Sequence, residues 1–279
     1  MQVIRSGVEA TTAKQSVQDF WDEAACGEVY AEGNTDRERF ERQREARYEL
    51  EPFIEAFAKF EDAKGLDVLE IGVGMGADHL EFANHGPARL IGVDLTPRAV
   101  LTTRRRAEEF GASTELFVGD AEALAFPDSS FDRVYSWGVL HHSPDTPAAL
   151  REVRRVLRPN GVARLMVYQR RSIVGAMLWL RYGLAQRRPT TSFSEIYSMH
   201  LESPGTKAYT REEAIQMMHD AGFTTVRTSV ELSGGDLLIG AAGQRHEGAI
   251  LRVARRVWPR PLIRRFGRRL GLFLMVEAR

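Results

Sequence analysis

Carboxylates at the ends of short apolar runs, together with two adjacent histidines, are the groups in this chain best placed to do chemistry. Glu70 lies in the run Asp67-Val-Leu-Glu-Ile, Gly72, Gly74 and Gly76 follow it, and Asp78 stands just beyond. Asp94 ends a second run, Asp120 and Glu122 follow a third, and His141 and His142 follow a fourth. Glycines at alternate positions let the main chain take positive φ and let a ligand approach it closely, and a helix starting there presents unpaired amides. Acidic groups on both sides of such a turn repel a pyrophosphate and suit a ligand that carries positive charge. An aspartate ending the second strand is placed to accept from both hydroxyls of a ribose. One at the third strand end is placed to accept from the exocyclic amine of an adenine, with the Ala121 amide near the ring. Histidine changes charge near neutral pH and serves as a general base.

The glycine spacing narrows the ligand. A dinucleotide turn wants Gly-x-Gly-x-x-Gly, whereas Gly72-Val-Gly74-Met-Gly76-Ala-Asp78 has a glycine at the fifth place and none at the sixth. S-adenosylmethionine has an ammonium, a sulfonium and a ribose without phosphate, and each strand end offers the group that one of its parts needs.

The elements that must hold these residues are a series of strands and helices in alternation. Strands are expected at 67–71, 89–94, 114–118, 131–136, 161–168, 223–231 and 272–278, with helices after the glycine turn, from Thr96 (Pro97 in its first turn) to Glu109, over 146–157 and from the capping residue Thr210. Such alternation predicts an α/β fold, a doubly wound, Rossmann-like, mostly parallel sheet with its ligand at the carboxyl ends of the strands. Residues 1–62 read as an N-terminal helical cap: a loose arm to residue 13, a helix from Lys14 to Gly27, and a charged helix capped by Asp36 and divided at Pro52. Phe20, Trp21, Tyr30 and Tyr48 are its aromatics best suited to close over a ligand. Residues 63–168 form the core, 169–209 an insertion above the site, and 210–279 the completion of the sheet with a basic helical segment from Glu247 to Leu270.

Residues 66–168 resemble the class I S-adenosylmethionine-dependent methyltransferases, in the large branch that includes ubiquinone and menaquinone biosynthesis enzymes and many natural-product methyltransferases. The resemblance rests on Leu-Glu-Ile-Gly-Val-Gly-Met-Gly, Val-Asp-Leu-Thr, Gly-Asp-Ala-Glu, Pro-Asp-Ser-Ser-Phe-Asp and Val-Leu-His-His-Ser-Pro-Asp, in that order. It implies a seven-stranded sheet whose last strand is antiparallel. It also implies cofactor contacts at Glu70, Gly72, Gly74, Gly76, Asp94, Leu95, Asp120, Ala121, Glu122, Trp137 and Gly138. His141 and His142 are the candidate catalytic bases, against a plain role in capping the fourth strand. Tyr30, Tyr48, Arg170 and Arg171 are the candidate substrate contacts. No metal is expected.

The chain has 279 residues, zero formal net charge and one cysteine, Cys26, which rules out an internal disulfide framework and makes a cytoplasmic setting the default. Cys26 itself reads as a small buried filler. Charge is uneven: residues 1–65 hold 15 acidic and 9 basic side chains, net −6, and residues 245–279 hold 2 and 10, net +8. The basic segment alternates arginines with apolar residues and is expected to pack on the sheet, with a membrane surface as the alternative. Neutral overall charge and no separate recognition domain speak against RNA, and a cofactor-binding regulator without catalysis would not need so complete a ligand set. The expected activity is methyl transfer to an organic acceptor, at the oxygen of a small molecule or natural product. Carboxylate methylation of a modified peptide is an alternative and would draw on Arg170, Arg171, Arg181, Arg187 or Arg188; N- or C-methylation and a membrane-associated lipid or quinone methyltransferase are the others.

Overall fold

The computed structural model describes residues 2–240 and 249–279, with side chains described for 12–240 and 251–279. The expected start of the basic segment at Glu247 lies outside these residues. The helical cap comprises α1 (Gln2–Glu23), α2 (Asp36–Leu50) and α3 (Phe53–Ala58). The loose arm expected up to residue 13 is part of α1: once Val17 is buried, each residue added in front of it gains a hydrogen bond without a new nucleation step. Thr35, not Asp36, caps α2, its hydroxyl accepting from the Glu38 amide at 3.2 Å. Pro52 separates α2 from α3 as expected.

The core alternates strand and helix. In chain order it runs β1 (Asp67–Ile71), α4 (Ala77–Asn84), β2 (Arg89–Asp94), α5 (Pro97–Glu109), β3 (Glu115–Val118), β4 (Phe131–Trp137), α6 (Thr146–Val156) and β5 (Leu157–Tyr168). The insertion holds α7 (Ile173–Leu178), continued by a wider helical turn, and α8 (Phe193–His200). The remainder is α9 (Arg211–Asp220), β6 (Val226–Glu231), α10 (Gly234–Leu237), α11 (Ala249–Val257), α12 (Arg260–Phe266) and β7 (Phe273–Ala278).

The strands form one sheet in the order β3-β2-β1-β4-β5-β7-β6, in which β7 is antiparallel to both of its neighbours and the others are parallel. This is the doubly wound, Rossmann-like sheet that the sequence pattern predicts, with the antiparallel last strand that the resemblance implies. Strands buried on both faces explain the unbroken apolar runs: Leu69, Ile71, Val134 and Leu165 pack with Leu150 and Val153 of α6 on one side, while Val68, Phe82 and Tyr135 pack with Ile54 and Phe60 of the cap on the other. The order reverses between β1 and β4, so the crevice at their carboxyl ends is the expected ligand position.

The basic segment departs from the packed-on-the-sheet expectation. Trp258 and Arg260 tie it to α10 by donating to the carbonyls of Asp236 and Leu237, but Val253, Val257, Leu262 and Phe266 are exposed. Pro259 interrupts it, while Pro261 sits in the first turn of α12 where its missing amide costs nothing.

Candidate functional site

One continuous cavity opens at the carboxyl ends of β1, β2, β3 and β4. Glu70, Gly72, Gly74 and Gly76 from the first turn line it, with Asp94 and Leu95 after β2, Asp120, Ala121 and Glu122 after β3, and Trp137 and Gly138 after β4. Every residue expected to contact the cofactor is therefore brought to a single wall system. Gly72 has φ +84°, and a Cβ there would lie 2.0 Å from Val139 Cγ2, so the turn can close against the β4 loop only with glycine. A Cβ at Gly74 would meet open space, so the main chain at that point is bare to the cavity.

Asp94 is held by the turn it serves: its Oδ2 accepts from the Gly74 amide at 3.1 Å, and its Oδ1 accepts from the amide and hydroxyl of Thr96 at 2.9 Å each. Burial raises its carboxyl above the ordinary range, against those hydrogen bonds. Glu70 is buried and lies 2.8 Å from His79 Nδ1, while His79 Nε2 meets the Thr114 hydroxyl. Burial pushes Glu70 well up and holds His79 down at about 3, so this pair keeps little charge.

Asp78 reads differently in three dimensions. Arg47 donates to both of its oxygens, at 2.7 and 2.5 Å, and the Tyr48 and Tyr135 hydroxyls add bonds at 3.0 and 2.8 Å. Burial alone would raise its carboxyl, but Arg47 overrides this and holds it below the usual range. Its charge is spent on Arg47, so it anchors the cap and leaves little to attract a ligand.

After β3, Lys14 of α1 reaches Asp120 at 2.6 Å and also pairs with Glu122, which in turn accepts from the Ser143 hydroxyl and the Asp145 amide. The cap thus closes this edge through a cation that the sequence pattern did not single out.

Beyond β4 the cavity widens into a chamber walled by Trp21, Cys26, Trp137, Met166, Tyr168 and Phe273. Cys26 faces this space instead of filling a core. Glu51, Glu202 and His142 supply its polar groups. Burial pushes Glu51 up to about 7, with Arg47 opposing and Asp78 adding to the shift. His142 is 4% exposed, its Nδ1 lies 2.8 Å from the Ser203 hydroxyl and 3.1 Å from the Thr206 hydroxyl, and its Nε2 is 3.3 Å from Glu202 Oε2.

The expected catalytic pair separates here. His141 is fully buried against Tyr168, ring centroids 4.0 Å apart, and neither ring nitrogen has a hydrogen-bond partner among the described residues. Burial holds it well below the usual range, and it is not among the cavity walls. Ligand atoms of His141, His142 and Glu202 do lie within 4.8 Å of one another.

The expected substrate contacts lie elsewhere. Tyr30 is outside the walls, and Tyr48 spends its hydroxyl on Asp78. Arg170 pairs with Glu213 at 2.8 Å and donates to the Ala208 carbonyl, and Arg171 is exposed. Arg181, Arg187 and Arg188 are likewise absent from the walls, because the insertion turns its basic face outward. The residues that shape the chamber without being singled out from sequence are Arg47, Glu51 and Glu202; Arg47 sits in α2, where most residues are charged, and Glu51 directly after its end, and only the packing of α2 distinguishes them.

Comparison with known proteins agrees with this geometry. Residues 68–161 match the family model described as a methyltransferase domain. The chain is 28% identical over 177 residues to phosphoethanolamine N-methyltransferase 1 of Arabidopsis thaliana, covering 63% of this chain and 32% of that protein. It is 35% identical over 122 residues to sterol 24-C-methyltransferase erg6 of Aspergillus fumigatus, covering 40% and 32%. The match thus spans about a third of the length of these relatives. Among solved structures, a SAM dependent methyltransferase from Aquifex aeolicus superposes with a TM-score of 0.53 at 14% identity, covering 88% of this chain and 98% of that one, and shares the fold. The cofactor of this domain is S-adenosylmethionine. The bare main chain at Gly74 and the carboxylates of Asp94 and Asp120 all line the one cavity. These likenesses do not single out the quinone-biosynthesis branch.

Proposed function

We propose that the chain transfers the methyl group of S-adenosylmethionine to a small organic acceptor seated in the chamber beyond β4. One observation carries this reading: the three cofactor carboxylates at the ends of β1, β2 and β3 open into the same cavity as an aromatic chamber with its own polar groups. The bound cofactor supplies an electrophilic methyl on a sulfonium. The protein's part is then to align the acceptor, exclude water and take up a proton where the acceptor must lose one. His142 is the group that lines the chamber and can do so.

Phosphoethanolamine and sterol relatives support methyl transfer without favouring one acceptor atom, and the oxygen acceptor expected from sequence stays within this reading. Carboxylate methylation of a peptide is supported less, because no unpaired cation faces the chamber among the described residues. No described helix is long and apolar enough to cross a membrane, and the single cysteine supports a cytoplasmic setting.

Calorimetric titration with S-adenosylhomocysteine tests the reading. Micromolar binding is expected, weakened at least tenfold by Asp94→Ala, which corresponds to about 1.4 kcal/mol. Absence of binding to the wild-type chain would overturn it.

A further inference from the structure

We infer that the acceptor is an amine, entering as its ammonium ion and held between Glu51, Glu202 and His142. This rests on the methyltransferase reading above and names the substrate class of the same site.

The hydrogen-bond network around His142 allows the tautomer that would accept from a ligand. The Thr206 hydroxyl donates to the Ser203 carbonyl at 2.6 Å, so towards His142 Nδ1 it can only accept. The Ser203 hydroxyl, 2.8 Å from the same nitrogen, can donate or accept, so the ring hydrogen can stand on either nitrogen, and the tautomer with it on Nδ1 leaves Nε2 a lone pair for a ligand. That nitrogen has no hydrogen-bond partner among the described residues, yet it stands 3.3 Å from Glu202 Oε2, which already accepts from the Tyr168 hydroxyl at 2.8 Å. In that tautomer Nε2 and Glu202 Oε2 both offer lone pairs at the cavity wall. Leaving such groups unmatched is unfavourable. A primary ammonium matches both, because it brings three N–H donors and a positive charge. A phenol brings one donor, and an ionised carboxylate brings more acceptors and the same charge as Glu202.

The rest of the chamber points the same way. Glu51 Oε2 is buried without a hydrogen-bond partner. Arg47 comes within 3.6 Å of it but has committed its other nitrogens to Asp78. Trp21, Trp137 and Tyr168 add aromatic faces, which favour alkylammonium groups. No such wall holds an anion.

The chemistry balances on these groups. One N–H proton of the ammonium passes to His142 Nε2, giving an imidazolium that the Glu202 carboxylate neutralises. The freed nitrogen lone pair forms the N–CH3 bond as the S–CH3 bond breaks with its electron pair left on sulfur, and the positive charge of the sulfonium ends on the methylated nitrogen.

Benzylamine titrated calorimetrically into the full chain saturated with S-adenosylhomocysteine tests this without turnover, with benzoate as the anionic control. Saturable binding of benzylamine alone is expected, weakened at least tenfold in Glu202→Gln and in Glu51→Gln, each checked for retained S-adenosylhomocysteine binding. A second readout needs no variant: in histidine labelled with nitrogen-15, benzylamine should shift the His142 Nε2 resonance. Preference for benzoate, binding of neither compound, or an unmoved Nε2 resonance would overturn the amine assignment while leaving the methyltransferase reading intact. Tight binding of Zn²⁺ lost in His142→Ala would give the acceptor pair to a metal and overturn it as well. Failure of S-adenosylhomocysteine to bind would remove the underlying reading instead.

Discussion

Arg47 grips Asp78 with two parallel bonds, Nε to one carboxylate oxygen at 2.7 Å and Nη2 to the other at 2.5 Å. The pair joins α2 of the cap to the first turn of α4, directly after the glycine turn. The cap is therefore fixed to the element that follows the glycine turn, and the same arginine lines the cavity beside Glu51.

Removing one partner leaves the other charged and buried. Arg47→Met is expected to cost about 3–5 kcal/mol in urea unfolding. Adding Asp78→Asn to it should recover part of that loss, and Arg47→Lys should fall between, since an ammonium cannot reproduce the fork. Equal stabilities for the single and double variants would show that the pair is not coupled.

Gly72→Ala tests the closeness of the turn to the β4 loop. With φ +84° and Val139 Cγ2 at 2.0 Å from the added carbon, it is expected to destabilise by about 1–3 kcal/mol and to weaken S-adenosylhomocysteine binding. Val139→Ala in the same chain should restore stability in part, which thermal unfolding would show.

Lys14 closes the cavity edge after β3 by bridging Asp120 and Glu122. In Lys14→Ala, S-adenosylhomocysteine should dissociate several-fold faster in stopped-flow measurements. The wild-type dissociation rate should rise with salt, and the variant's should be nearly flat, because the bridge is partly exposed and screened.

Glu51 sets a pH dependence whose sign is fixed. Its carboxyl titrates at about 7 in the folded chain against 4.5 ordinarily. Folding therefore favours the protonated form, and stability contributed by this group is full below about pH 4.5 and is lost as pH rises through 7. Between pH 4 and 9 the wild type should lose up to about 3 kcal/mol relative to Glu51→Gln. Affinity for benzylamine should climb over the upper part of the same range as the carboxylate forms, and a flat difference between the two proteins would refute the assignment.

Much of the cofactor end was legible in the sequence for a local reason. Glu70, Asp94 and Asp120 each belong to a strand and the turn that follows it, and a parallel sheet brings all its carboxyl ends to one edge. The acceptor end was not legible, because its groups come from distant segments without a pattern of their own. Arg47 is one charge among many on α2, Glu51 is the residue that ends it, and Glu202 lies in an irregular stretch after α8.

The adjacent histidines mark where sequence stops. Composition and spacing place His141 and His142 together at the end of β4 and give both the same chemistry. Only the packing of the three-residue turn they share sends one ring into the core against Tyr168 and the other to the cavity beside Glu202. The sequence by itself determined the sheet, the glycine turn and the carboxylates that line the cavity at the strand ends, since these follow from local periodicity and strand order. The tertiary structure decided which charges are spent on one another and which still face a ligand, because pairing depends on side chains brought together from segments 30 to 150 residues apart.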